Sequence, residues 1–132
     1  MAADLSSTHF ELFGLRQALR ALEGRVADEV FFAFERLKPF AEALQHQVVR
    51  GVETRGKGLL IHFEGDLSIY SHNQLYGRWV VRDAYRFPET TRQLRLAIHN
   101  AHKSALLYSA SEIDVLTPEQ QEYLNSWREG TV

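Results

Sequence analysis

Residues 52–70 read Val52-Glu53-Thr54-Arg55-Gly56-Lys57-Gly58-Leu59-Leu60-Ile61-His62-Phe63-Glu64-Gly65-Asp66-Leu67-Ser68-Ile69-Tyr70. Two glycine-bearing turns, Arg55–Gly58 and Glu64–Asp66, punctuate apolar runs too short for helices. Leu59–Phe63 entering Glu64-Gly65-Asp66 and returning as Leu67–Tyr70 is a hairpin pattern. Val48, Val49 and Val52 lead into the first turn from the other side.

Working outward, strands fit Arg78–Asp83, Arg92–His99 and Ser104–Ser109, and Val30–Phe34 is a short run of the fully buried sort. Within 92–99, Leu94, Leu96 and Ile98 alternate with Gln93, Arg95 and Ala97, which predicts one buried and one wet face. Asn100-Ala101-His102 supplies the next turn. Toward the N-terminus Leu12, Leu15, Leu19 and Leu22 recur at helical spacing over Phe10–Leu22, with Ser6, Ser7 and Thr8 as candidate caps and Gly24 as the stop. Pro118 opens a last short helix with Thr117 as its N-cap. The expected fold is mainly β with flanking helices: a two-layer antiparallel β-sandwich, one helix near each end, with residues 1–132 as a single domain.

Composition limits the function classes. The absence of cysteine excludes a disulfide scaffold and a thiolate zinc site, and fits a cytoplasmic location. No apolar run approaches the ~20 residues of a membrane helix, and no signal-peptide pattern opens the chain. The net charge of −2 hides an uneven distribution. Residues 50–103 carry nine basic side chains against five acidic ones, between two acidic ends. Twelve of the fifteen basic residues are arginine, whose planar fork suits phosphate oxygens.

Three sites stand out. Arg55-Gly56-Lys57-Gly58 lacks the spacing of a nucleotide-binding loop. It is either a strand-linking turn with two glycines for unusual dihedrals, or a lysine on a tight turn with Arg55 at hand to lower its pKa or hold a phosphate. Tyr70-Ser71-His72-Asn73-Gln74-Leu75-Tyr76-Gly77-Arg78-Trp79 carries large apolar side chains where a loop is usually polar. Either Leu75 and Tyr76 fold back as core, or Gln74, Leu75 and Tyr76 form a wedge that fills the gap left by a flipped base. His62 reads as a hydrogen-bonded, half-buried strand histidine, and His99 with His102 lacks a third metal ligand nearby. No nucleophile-elbow pattern accompanies the serines.

Val52–Lys57 and Tyr70–Gly77, with Val30–Phe34, Leu37-Lys38-Pro39, Leu106–Ser111 and Leu116–Gln120, resemble the N-terminal domain of the endonuclease VIII family, in the formamidopyrimidine-DNA glycosylase superfamily. The likeness runs over about residues 26–121. It implies a β-sandwich and a base-excision-repair glycosylase and abasic-site lyase acting on oxidised pyrimidines. Lys57 matches the family's β-elimination lysine, and Gln74, Leu75 and Tyr76 match its DNA-inserted loop. Arg55, His72 and Asn73 join these as expected DNA contacts.

The family's N-terminal proline, its Schiff-base nucleophile, and the adjacent glutamate fall near Ser6 and Ser7, neither of which can form an iminium. Ala2, with Asp4 nearby, offers only a displaced substitute amine. The family's zinc-finger half has no counterpart in these residues. The expectation is therefore a catalytically silent domain that binds damaged duplex or single-stranded DNA weakly and with strong salt dependence. No metal, cofactor or membrane is expected. Two alternatives stay open: an active glycosylase/lyase, should the opening residues not be native, and a non-DNA structural or oligomerising fragment.

Overall fold

The computed structural model describes residues 3–5, 15–72 and 77–122. Among the described residues nine strands form two antiparallel sheets. Sheet A has the order β1-β6-β8-β7-β2: β1 (Ala3–Leu5), β2 (Glu29–Phe32), β6 (Arg78–Asp83), β7 (Leu94–His99) and β8 (Lys103–Tyr108). Sheet B has the order β3-β4-β5-β9: β3 (Val49–Arg55), β4 (Gly58–Phe63), β5 (Ser68–His72) and β9 (Ile113–Leu116). The helices are α1 (15–19, tightening into a 3-10 turn at Arg20–Leu22), α2 (Lys38–Leu44) and α3 (118–122).

The pleat decides what meets between the sheets. Val30, Phe32, Trp79, Val81, Leu96, Ile98, Ala105 and Leu107 from sheet A face Val52, Leu59, Ile61, Phe63, Ile69, Ile113 and Val115 from sheet B. Leu15, Leu19 and Leu22 of α1 complete the same core. The part of the Phe10–Leu22 helix before residue 15 lies outside the described residues, as do the caps Ser6, Ser7 and Thr8.

Edge strand β3 would leave backbone groups unpaired, and the chain around α1 satisfies them. Val52 N–H donates to Glu23 Oε2 at 2.7 Å, and Arg16 Nε donates to the Val52 carbonyl at 3.1 Å. After β9, α3 opens with a reciprocal capping box. Gln120 N–H donates to Thr117 Oγ1 at 3.3 Å, and Thr117 N–H donates to Gln120 Oε1 at 2.8 Å.

Three strand expectations need correction. The Val30–Phe34 run is not fully buried, because β2 is an edge strand that alternates: Val30 and Phe32 point inward while Phe31 is 38% exposed. Ala97 is not on a wet face; it is fully buried with Val80, Leu106 and Tyr108 in a small apolar cluster on the outer side of sheet A. The alternation also breaks at a bulge between Leu94 and Leu96, which turns Leu94 onto that outer cluster. Helix α2 and strand β9 were not signalled by periodicity, each being too short to display one.

Ala97→Asp places a carboxylate in this outer cluster and should cost about 2 kcal/mol or more in urea unfolding. Gln93→Asp, on an exposed side chain two residues before the bulge, should stay within about 0.5 kcal/mol of the parent.

Candidate functional site

With Val52, Leu59, Ile61 and Ile69 committed to the core, their strand neighbours emerge on the outer face of sheet B. There Glu53, His62 and Ser68 form a continuous polar chain. Arg55 Nη2 pairs with Glu53 Oε2 at 2.8 Å, and His62 Nε2 lies 2.6 Å from Glu53 Oε1. His62 Nδ1 lies 2.6 Å from Ser68 Oγ, which accepts from Gln121 Nε2 of α3 at 3.0 Å. One assignment satisfies every member: Gln121 donates to Ser68, Ser68 donates to His62 Nδ1, and His62 Nε2–H donates to the Glu53 carboxylate. Burial pushes the Glu53 carboxyl up, but hydrogen bonds from Arg55 and His62, together with the Arg55 charge, outweigh it and hold the group below its ordinary value.

This chain fixes the end of the β3–β4 hairpin, and Lys57 stands exposed at its tip. Gly56 takes φ +60°, a left-handed conformation that glycine adopts without strain. Gly58 has no such φ. Its requirement is space, since a Cβ there would lie 2.7 Å from Tyr70 Oη and 2.8 Å from Cζ. The expectation of two glycines for unusual dihedrals therefore holds for Gly56 alone.

Gly58 pairs with His72, the last residue of β5. His72 Nδ1 sits 3.3 Å from Glu112 Oε1, without hydrogen-bond geometry. The Lys57 turn, Arg55 and His72 thus share one end of the sandwich, where the chain crosses from sheet B to Arg78 of sheet A. Asn73, Gln74, Leu75 and Tyr76, in that crossing, lie outside the described residues, as do Ala2, Ser6 and Ser7. Asp4 falls within β1, opposite Val80 in register.

His62 is the hydrogen-bonded, half-buried strand histidine expected of it, but the sequence reading missed its partners Glu53, Ser68 and Gln121. Glu53 sits two residues before Arg55, a spacing that puts both on one strand face. Gln121 carries no signal before the fold is known. Among the described residues no group of three His, Asp or Glu side chains is placed to hold a metal ion, and no helix is long and apolar enough to cross a membrane.

Comparison with known proteins gives one family. Residues 11–110 match the family model of the formamidopyrimidine-DNA glycosylase N-terminal domain. Endonuclease 8 of Escherichia coli is 55% identical over 100 residues, covering 76% of this chain and 38% of the relative. Endonuclease 8 of Salmonella arizonae is 52% identical over the same share. The chain thus spans less than half the length of these relatives. Among solved structures, formamidopyrimidine-DNA glycosylase of Lactococcus lactis, bound non-covalently to DNA with an abasic site, superposes with TM-score 0.71 at 16% identity, over 86% of this chain and 46% of that one. MutM in complex with DNA containing carbocyclic 8-oxoguanine gives 0.72 at 15% identity, over 87% and 47%. At such identities the likeness is one of fold.

The Glu53 contribution has a definite pH window. A carboxyl held low in the folded state stabilises fully above its ordinary value of 4.5, and loses that contribution as the pH falls toward the folded-state value. Glu53→Gln should therefore flatten the decline in stability below pH 4.5, read from urea midpoints across an acid series.

Proposed function

The chain belongs to the formamidopyrimidine-DNA glycosylase N-terminal domain family, and from that premise we propose that it binds DNA through the Lys57 end of the sandwich without itself forming a Schiff base. The observation that carries this reading is the placement of Lys57. It projects from a glycine turn that is braced by Arg55, Glu53 and His62 and set beside His72, where the Gln74-Leu75-Tyr76 loop departs. A rigid hairpin presenting one cation is suited to a phosphate or an abasic sugar, because little order has to be gained on binding. Lys57 and His72 hold the strand, and the loop fills the space of an extruded nucleotide.

The catalytic half of the reading turns on the nucleophile. Schiff-base chemistry needs a positioned amine next to a proton-handling acid. The positions where the family carries proline and glutamate are occupied near Ser6 and Ser7, ahead of the matched residues 11–110. Lys57 can assist an elimination only after a covalent imine exists. The reading is therefore recognition of damaged or single-stranded DNA, sequence-independent and driven by phosphate contacts.

Fluorescence anisotropy with an abasic-site duplex tests both halves. Binding should weaken steeply as salt rises, and Lys57→Ala should weaken it uniformly across sequences while lowering the salt slope by about one. Borohydride treatment of the complex should trap no adduct. A covalent adduct would replace this reading with that of an active lyase, and the absence of DNA binding at low salt would remove it altogether.

A further inference from the structure

The β6–β7 connection, residues 84–93, folds back over the outer face of sheet A. Its first half is anchored at Tyr85, whose backbone N–H donates to Ser104 Oγ at 2.7 Å and whose hydroxyl donates to Glu29 Oε1 at 2.8 Å. The Tyr85 ring stacks on His99 at 4.2 Å between centroids. In the second half, Arg92 Nη1 donates to Ser109 Oγ at 3.2 Å. Between this connection and the sheet lies a cavity of about 380 Å³, at the low end of the size range of small-molecule sites.

The chemistry of its wall is one-sided. Arg78 and Arg82 come from β6, four residues apart and so on one strand face, and Arg92 comes from the connection. Glu89 is the one carboxylate among the described lining residues; Thr90 and Tyr108 add hydroxyl groups. Burial pushes the Tyr108 phenol up, with the Arg82 charge opposing, so it remains a donor at neutral pH. Arg82 Nε is shut off from water and has no hydrogen-bond partner among the described residues. A buried guanidinium N–H of this kind is costly to leave unpaired; it lies behind the part of Arg82 that lines the cavity, where Val80, packed with Ala97 and Leu106 in the outer cluster, adds the apolar wall.

We propose that this cavity is an oxyanion site that takes a phosphate group, with Arg82 as its central donor and Arg78 and Arg92 as flanking charges. Arg78 lies at the sheet A end of the crossing from His72, so a phosphodiester of a strand held at Lys57 is one source of that phosphate. Free phosphate is the other. The strand version rests on the DNA-binding reading above; the free-phosphate version does not.

The test follows the arginine Nε–H resonances of the full chain during titration with inorganic phosphate, and separately with an abasic-site duplex. The Arg82 Nε–H signal should shift saturably with at least one of them. Arg82→Ala should abolish phosphate binding, or weaken duplex binding about tenfold and reduce its salt slope by about one. Arg50→Ala, which removes the same charge from an exposed site on β3, should do neither. Arg82→Lys keeps the charge and removes the Nε–H, so it serves if the alanine variant folds poorly, and it should fall between the two.

Saturable phosphate binding with unchanged duplex affinity identifies free phosphate as the occupant. Phosphate binding by a chain that ignores DNA leaves the site standing and removes the DNA reading. No saturable shift with either probe, and Arg82 variants equal to Arg50→Ala, overturns the proposal even if the chain binds DNA.

Discussion

Strand pleat imposes the governing constraint on this fold. Because Val52, Leu59, Ile61, Phe63 and Ile69 must enter the core shared by the two sheets, Glu53, Arg55, His62, Ser68, Tyr70 and His72 have no choice but the opposite face. A one-residue slip in any of the three strands would bury the charges and expose the leucines. The polar chain from Arg55 to Gln121 is therefore a consequence of core packing as much as a feature of the site. Its Arg55–Glu53 pair stands two residues from Lys57 at the hairpin tip.

The same constraint explains the outer face of sheet A. There the face turned away from the core is partly apolar, with Val80, Ala97, Leu106 and Tyr108, and the β6–β7 connection lies against it. Arg78, Arg82 and Arg92 line the cavity between the connection and the sheet, where an anion would meet all three. On sheet B the corresponding arginine is already engaged by Glu53. On sheet A the described lining of the cavity holds three arginines and the one carboxylate of Glu89.

Much of the fold was legible in residues 52–70, since turns with glycine between short apolar runs have few other solutions. Strand β6 and the α3 cap were equally plain, the first from its β-branched run and the second from Thr117, Pro118 and Gln120 in sequence. Leu94 departs from the alternation because a bulge at residue 95 shifts the period, and no residue type announces a bulge of this kind; Ala97 keeps its face, but that face is apolar and packed rather than wet. Phe31 was misread because an apolar run does not say whether its strand lies at an edge. For the site, Lys57, Arg55 and His72 were reachable through motif resemblance, but the relay was not. Glu53, His62, Ser68 and Gln121 are brought together only by strand pairing and by the position of α3. The cluster of Arg78, Arg82 and Arg92 shared this difficulty: the basic middle of the chain was visible as an excess, while its convergence on one cavity depends on how residues 84–93 fold back.

The proposed DNA-facing surface is the end of the sandwich that holds the Lys57 turn and His72, with Arg78 opening β6 after the crossing. Backbone amide chemical-shift mapping of the full chain with an abasic-site duplex addresses it most directly. The account predicts perturbations concentrated at residues 55–58, 72 and 77–78, fading toward the Glu64–Asp66 turn at the far end. Perturbations centred on that far turn, or on the Glu29–Phe32 edge, would contradict it.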